Sequence, residues 1–150
     1  MISSLDKSAK YDVYKLVNHG YKETMGRIGK FPFPMSVEEA LSYIKNKLEI
    51  PVLRYAGNRD RLVEKIAILG GAGAEFAEVA KSMGADLYLT GDLKYHEAQD
   101  AAMNGLVIAD GGHFYTERVI IPYLAKRLRD EFKTRGWNVG VLEDVRAKDI

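Results

Sequence analysis

The chain has 150 residues, with 22 basic and 21 acidic side chains, a net charge of +1 and no cysteine. This length suits one domain with its own core, and the balanced charge favours neither nucleic acid nor an anionic membrane as a partner. The lack of cysteine excludes disulfides, thiolate metal sites and cysteine nucleophiles. No apolar run approaches the ~20 residues of a membrane-spanning helix and no signal-peptide pattern is present, so we expect a cytoplasmic protein.

The pattern of residues 1–35 predicts a loop-rich segment with little core of its own, which would lead in from a missing N-terminal region. Residues 12–17 have a strand-like pattern, but the glycines that follow and the prolines Pro32 and Pro34 interrupt regular structure. His19 lies in this region, where a solvated side chain is expected. Residues 36–150 are predicted to form an α/β lobe.

A helix is predicted to begin after Ser36, because Ser36 and Glu39 have the spacing of a capping box. Strand-like and helix-like runs then alternate along the chain. The predicted strands are residues 51–56, 63–69, 85–89, 106–109 and 139–142, and the predicted helices are residues 76–83, 94–103 and a last segment whose apolar stripe is Ile120, Leu124, Leu128 and Phe132. This alternation predicts an α/β fold with a largely parallel or mixed sheet, flanked by helices on both faces.

Polar and glycine-rich residues follow three successive predicted strands, at residues 70–73, 90–92 and 110–113. Ligands of such sheets bind outside the carboxyl ends of the strands. The three strand ends therefore predict a ligand site at one edge of the sheet. Residues 70–73 either form an anion-binding turn before a helix or are a tight turn for packing the helix on the sheet, and the pattern leaves these alternatives open.

Asp92 and His96 are a carboxylate and an imidazole that could transfer a proton or orient a water molecule. Their alternative roles are a helix N-cap for Asp92 and a plain surface position for His96. His113 and Glu117, four residues apart, would lie on one helical face, as a pair of metal ligands or as a surface ion pair. Pro122 predicts that residues 115–121 form a turn separate from the last helix.

Five motifs occur in order at residues 25–29, 69–73, 84–86, 90–96 and 110–117. With them the chain resembles the C-terminal part of the Nif-three-like family, whose members are often named GTP cyclohydrolase 1 type 2 homologues. The resemblance covers about residues 12 to 145, and its motifs are collectively strong although each alone is weak.

The resemblance implies one half of a two-lobed fold, in which two similar α/β lobes enclose two divalent metal ions. It assigns metal-ligand roles to His113 and Glu117, and places Thr90, Asp92 and His96 at the same cleft, with Asp92 and His96 as catalytic groups that orient ligands or transfer protons. Imidazole and oxygen ligands admit Zn, Mn, Fe, Mg, Ni or Co alike. Family members commonly form homo-oligomers, often hexamers.

The family's N-terminal lobe supplies a pair of adjacent histidines, and this sequence has three histidines and no such pair. We therefore expect the N-terminal lobe to be missing from this chain, and the chain alone to be inactive and to self-associate through the face that lobe would cover.

The leading hypothesis for function is the C-terminal lobe of a dinuclear-metal-dependent hydrolase with a small-molecule nucleotide or phosphoester substrate. The alternative is a non-enzymatic scaffold or regulatory subunit that binds a metal or an anion. A dinucleotide oxidoreductase is disfavoured by the glycine spacing.

Overall fold

The computed structural model describes residues 25–144, so the strand predicted at residues 12–17 and the position of His19 lie outside the described residues. The elements are β1 (Arg27–Ser36), α1 (Val37–Leu48), β2 (Arg54–Ala56), β3 (Leu62–Ala72), a 3-10 turn (Ala74–Phe76), α2 (Ala77–Ser82), β4 (Leu87–Gly91), α3 (Tyr95–Met103), β5 (Val107–Asp110), α4 (His113–Glu117) and α5 (Ile120–Thr134).

The five strands form one mixed sheet in the order β1-β3-β4-β5-β2. The central strands β3, β4 and β5 are parallel, whereas β1 pairs antiparallel with β3 and β2 pairs antiparallel with β5. All five residues of β4 and all four of β5 are buried, as expected for strands covered on both faces. The predicted α/β fold with a mixed, helix-flanked sheet is confirmed.

Two apolar clusters form the core, one on each face of the sheet. The first packs α1 on the sheet and includes Val37, Ala40, Ile44, Leu87 and Leu89. The second packs α2 and α3 on the opposite face and includes Ala67, Ala77, Ala80, Tyr88, Ala101 and Ile108. Alternate residues of β4 serve opposite clusters because successive side chains of a strand point to opposite faces.

The start of α1 confirms the predicted capping box. The hydroxyl of Ser36 accepts from the Glu39 amide at 3.2 Å, and the Glu39 carboxylate accepts from the Ser36 amide at 2.8 Å. These two bonds satisfy amides that the first turn of a helix leaves unpaired. The hydrogen bonds that the Glu39 carboxylate accepts from the amide and from the hydroxyl of Ser36 lower the pKa of Glu39 below its ordinary value.

Residues 27–35 are a strand, so the prediction of a loop-rich lead-in up to residue 35 was wrong for this part. β1 is at the edge of the sheet and shifts register between Lys30 and Met35, on either side of Pro32 and Pro34. A proline cannot donate to a neighbouring strand, and it is tolerated at edges and bulges for that reason. The two prolines therefore interrupt the pairing locally without ending the strand.

The strand predicted at residues 139–142 is also wrong, because this segment is irregular. Arg129 of α5 donates to the carbonyl of Val141 at 3.0 Å and pairs with Glu143 at 2.8 Å. These contacts hold the segment beside α5 rather than at an edge of the sheet. Its β-branched composition alone did not determine its structure.

The last helix is present, but its predicted apolar stripe does not enter the core of the described part of the chain. Ile120 and Leu124 are exposed, and Ala125 is the buried residue of this helix. Across residues 25–144, no helix has the length and apolar character needed to cross a membrane.

Candidate metal-ligand site at the strand ends

The three polar strand ends predicted from the sequence meet at one edge of the sheet. Ala72 of β3 is paired with Gly91 of β4, and Thr90 of β4 with Asp110 of β5. Because these strands are parallel, their carboxyl ends open on the same side. Residues 70–73, 90–92 and 110–113 therefore form one continuous surface.

His113 lies between two carboxylates on this surface. Its Nδ1 is 2.7 Å from Asp92 Oδ2, and its Nε2 is 3.3 Å from Glu117 Oε2. The three side chains are about half exposed, at 48%, 54% and 55% for His113, Asp92 and Glu117 respectively. An ionised carboxylate can only accept a hydrogen bond, so the contact with Asp92 requires the proton on Nδ1.

The two carboxylates also change the acidity of the imidazole. The hydrogen bond that His113 donates to Asp92 raises the pKa of His113 above its ordinary value, and the nearby charge of Glu117 acts in the same direction. Both effects stabilise the protonated ring. A metal ion would therefore have to displace a more tightly held proton at this histidine.

The local backbone explains why His113 and Glu117 meet. Gly112 has φ +78°, a left-handed conformation that turns the chain directly from β5 into α4. α4 is separate from α5, as Pro122 predicted, since this proline occupies the first turn of α5. The predicted bounds of the separate turn, residues 115–121, were wrong at their end, because residues 120 and 121 already belong to α5. The four-residue spacing then places both side chains on one face of α4.

Asp92 itself has an unusual backbone, with φ +55°. A left-handed conformation is uncommon outside glycine and costs conformational free energy. It directs the chain from β4 into α3 while the Asp92 carboxylate reaches His113. The structure does not use Asp92 as the N-cap of α3, because that position is occupied by Lys94, whose amide donates to Glu97 at 2.9 Å.

His96 is the second residue of α3 and is exposed. Its ring lies edge-on to the ring of Tyr95, with centroids 5.5 Å apart. Within residues 25–144 Asp92 is hydrogen-bonded to His113 and not to His96. The predicted catalytic role of His96 therefore stays a prediction based on the resemblance.

The glycine-rich segment at residues 70–73, whose first three residues are the end of β3, packs closely against α4 and β4. A Cβ at Gly70 would be 2.8 Å from the carbonyl oxygen of Thr116, and one at Gly71 would overlap Glu117 Oε1. The amide of Gly71 already donates to the hydroxyl of Thr116. Close packing against α4 explains why Gly70 and Gly71 carry no side chain, and the Gly71 amide is not available to an anion.

Sequence reasoning did not assign a role to Asp110. Asp110 is buried, and its Oδ1 accepts from the Gly112 amide at 3.0 Å while its Oδ2 pairs with Arg54 at 2.5 Å. These bonds hold the turn that presents His113. An acidic residue at the end of an apolar strand indicates a role for its side chain. The role of Asp110 was not predictable because its partner Arg54 is 56 residues away.

The donor atoms at this edge suit a divalent metal ion, although they do not form a full ligand set. Nε2 of His113 and the carboxylate of Glu117 are neighbouring donors of types that such ions accept. Within the described residues no group of three or more His, Cys, Asp or Glu side chains could hold a metal ion. The arrangement therefore brings together two candidate donors, His113 and Glu117, with Asp92 in contact with His113.

The fold and the site define a class of protein. Its members are α/β proteins with polar strand ends and a His–Glu pair at that edge of the sheet. The sequence model of the Duf34/NIF3 (NGG1p interacting factor 3) family matches residues 3–148. The chain belongs to this family.

Relatives of this chain are substantially longer than it is. The chain is 34% identical over 131 residues to a Bacillus subtilis protein named GTP cyclohydrolase 1 type 2 homolog, and 37% identical over 122 residues to a Listeria innocua protein of the same name. The matches cover 87% and 81% of this chain, but 35% and 32% of those relatives. The chain thus spans about a third of the length of these curated relatives.

The fold also matches solved structures. A Bacillus cereus protein related to NIF3 superposes with a TM-score of 0.81 at 34% identity, over 84% of this chain and 35% of that one. A Staphylococcus aureus hypothetical protein gives a TM-score of 0.72 at 29% identity, over 83% of this chain and 43% of that one. These matches agree with the α/β fold described above.

Proposed function

We propose that this chain is the C-terminal lobe of a dinuclear-metal-dependent hydrolase, to which it supplies His113 and Glu117 as ligands. The observation that carries the proposal is the contact of His113 with two carboxylates. Asp92 accepts the hydrogen bond of Nδ1–H, which leaves Nε2 beside Glu117 as the atom that can bind a metal. A carboxylate on the far nitrogen is the usual support of a metal-binding histidine.

A pair of divalent metal ions supplies an activated water molecule and stabilises the oxygen atoms that gain charge during hydrolysis. The residues of this chain have simpler tasks. His113 and Glu117 would bind the metal. Asp92 orients the imidazole by accepting the hydrogen bond of Nδ1–H. His96 is available at the start of α3 for proton transfer. The metals could be Zn, Mn, Fe, Mg, Ni or Co, since the donor atoms do not select among them.

The relatives support the substrate class in this proposal, and the geometry of this chain supports the assembly. The name shared by the Bacillus and Listeria proteins supports a small-molecule nucleotide, or a related phosphoester, as the substrate. The two-ligand site supports completion by an N-terminal lobe, and the exposed apolar residues of α5 support assembly as a homo-oligomer, a hexamer in the family pattern. A cytoplasmic location completes the proposal.

The first test measures metal binding by the chain. Mn²⁺ is titrated into the purified protein, and binding is followed by the broadening of amide signals near residues 70–73 in NMR spectra. His113→Ala is expected to weaken binding by at least ~10-fold, and His19→Ala, which removes a histidine that the proposal does not use as a ligand, is the matched control. Equal Mn²⁺ affinity in the wild type and in His113→Ala would overturn the assignment of the ligand.

The second test measures hydrolysis after the chain is combined with a family N-terminal lobe that carries the adjacent histidine pair. A panel of nucleotides and phosphoesters is assayed with and without divalent metals. Metal-dependent turnover that is lost in His113→Ala is the expected result. Metal binding without turnover of any substrate would favour the non-enzymatic scaffold instead.

A further inference from the structure

Gly71 forms a side-chain-free wall behind the two proposed ligands. It is buried, has φ +69°, and a Cβ placed on it would lie 3.2 Å from His113 Nε2 as well as overlapping the Glu117 carboxylate. The backbone of β3 thus approaches both ligand groups directly. Any movement of this residue would change the space in which His113 and Glu117 can meet.

Thr116 holds Gly71 from the side of α4. Its buried hydroxyl accepts from the Gly71 amide at 2.9 Å. The same hydroxyl lies 2.8 Å from the carbonyl of Gly112 and 3.0 Å from that of His113, so its single proton is shared within the first turn of α4. The hydroxyl therefore connects β3 to the helix that carries both ligands.

Thr90 holds the same residue from the side of β4. Its hydroxyl, which is fully buried, donates to the carbonyl of Gly71 at 3.0 Å. The backbone carbonyl of Thr90 accepts from the Gly111 amide at 2.9 Å, which ties β4 to the turn before His113. The N–H and the C=O of Gly71 are thus each bonded to a different buried threonine.

These hydroxyls have a role that packing alone does not explain. Valine has nearly the same shape as threonine and would fill these positions without bringing a polar group into the interior. A buried hydroxyl is retained where its hydrogen bonds are needed. At Gly71 the bonds fix a peptide that contacts His113 and Glu117.

We propose that Thr116 and Thr90 are positioning residues of the metal site. Their hydrogen bonds fix the Gly71 backbone from both sides. The fixed backbone keeps His113 Nε2 and the Glu117 carboxylate at the separation at which both donors can bind one metal ion. Neither threonine touches the metal in this proposal. The inference rests on the proposed function for its metal-binding consequence, whereas the clamp itself is a feature of the protein without metal.

The test compares Thr116→Val, which removes the hydroxyl, with Thr116→Ser, which keeps it. Hydrogen exchange of the Gly71 amide reports the clamp without metal, and Mn²⁺ titration reports its consequence. We expect Thr116→Val to speed exchange of Gly71 and to weaken Mn²⁺ binding by at least ~10-fold, with Thr116→Ser near the wild type in both measurements. Val37→Ala, which removes buried volume from α1, is the control for a general loss of stability and should leave Mn²⁺ affinity unchanged.

Thr90→Val and Thr90→Ser repeat the comparison on the other side of Gly71, away from the ligand helix, and serve if Thr116→Val does not fold. Mn²⁺ affinity that is unchanged by the valine variants, or reduced equally by valine, serine and Val37→Ala, would overturn the positioning role. A wild type that fails to bind Mn²⁺ even when combined with a family N-terminal lobe, with Gly71 exchange still dependent on the hydroxyls, would instead overturn the proposed function and leave the clamp intact.

Discussion

Two aspartates flank the central strand β4, and their surroundings are opposite. Asp86, before the strand, has a side chain 22% exposed and accepts three hydrogen bonds, from the amides of Glu64 and Lys65 at 3.0 and 2.9 Å and from Arg61 at 2.8 Å. Asp92, after the strand, is more exposed, has a left-handed backbone and has His113 as its hydrogen-bond partner. The first carboxylate is saturated, whereas the second retains free acceptor positions.

The two aspartates have different roles. Asp86 stabilises the fold, whereas Asp92 supports His113 in the proposed site. Burial alone would raise the pKa of Asp86, but its hydrogen bonds and the Arg61 charge hold that pKa below its ordinary value. Asp86 thus stabilises the amino end of β4, where Arg61 also donates to the Gly105 carbonyl. At the other end, Asp92 has a left-handed backbone, and its carboxylate accepts the hydrogen bond of His113, which orients the imidazole.

The largest expected effect is on stability, at Asp86. Asp86→Ala leaves two amides and a guanidinium without their acceptor, and should lower the free energy of unfolding by about 2–3 kcal/mol. Chemical denaturation monitored by circular dichroism measures this change. Asp60→Ala removes the same charge from an exposed position and should change stability by less than about 0.5 kcal/mol. Equal effects of Asp86→Ala and Asp60→Ala would show that Asp86 does not stabilise the fold. The contrast between Asp86 and Asp92 would then be lost.

The next effect is on metal affinity, at Asp92. Asp92→Gly removes the carboxylate and suits φ +55°, so we expect Mn²⁺ binding to weaken by about 10-fold while the melting temperature is unchanged or slightly higher. Asp92→Asn keeps an acceptor and should be intermediate in affinity. Thermal unfolding and Mn²⁺ titration of the same samples provide the two readouts. A marked loss of stability in Asp92→Gly would show that Asp92 is structural, like Asp86.

The smallest effect is on pH dependence, at His113. Its folded-state pKa is raised above 6.5, mainly by Asp92. The stabilisation from the charged ring is therefore complete below the unfolded-state pKa and is lost as pH rises through the folded-state pKa. Metal binding has the opposite dependence, because the metal needs the neutral nitrogen. We thus expect Mn²⁺ affinity to increase with pH and to level off above the raised pKa.

The pH effect can be assigned by NMR titration of the imidazole. Asp92→Asn should lower the pKa of His113, and Glu117→Gln should lower it by less, since Asp92 is the larger cause. A larger effect of Glu117→Gln would mean that the hydrogen bond to Asp92 is not the main support of the ring.

Local patterns were the most predictable part of this molecule. The capping box of Ser36 and Glu39 and the separate helix α4 before Pro122 each depend on residues within a few positions of one another. The prediction that three polar strand ends meet at one edge also held, because it follows from parallel pairing alone. The predictions for residues 27–35 and 139–142 were wrong because whether a segment is a strand depends on whether it reaches an edge of the sheet.

The sequence was sufficient to predict the α/β class and the largely parallel or mixed sheet. It also predicted that His113, Glu117 and Asp92 lie at one edge of that sheet. Only the tertiary structure decided that Asp92 contacts His113, 21 residues away, rather than His96, four residues away, and that Thr116 bonds to Gly71 across 45 residues. The physical reason is register: periodicity and capping act within a few residues, whereas side-chain partners across a sheet depend on the order and alignment of the strands.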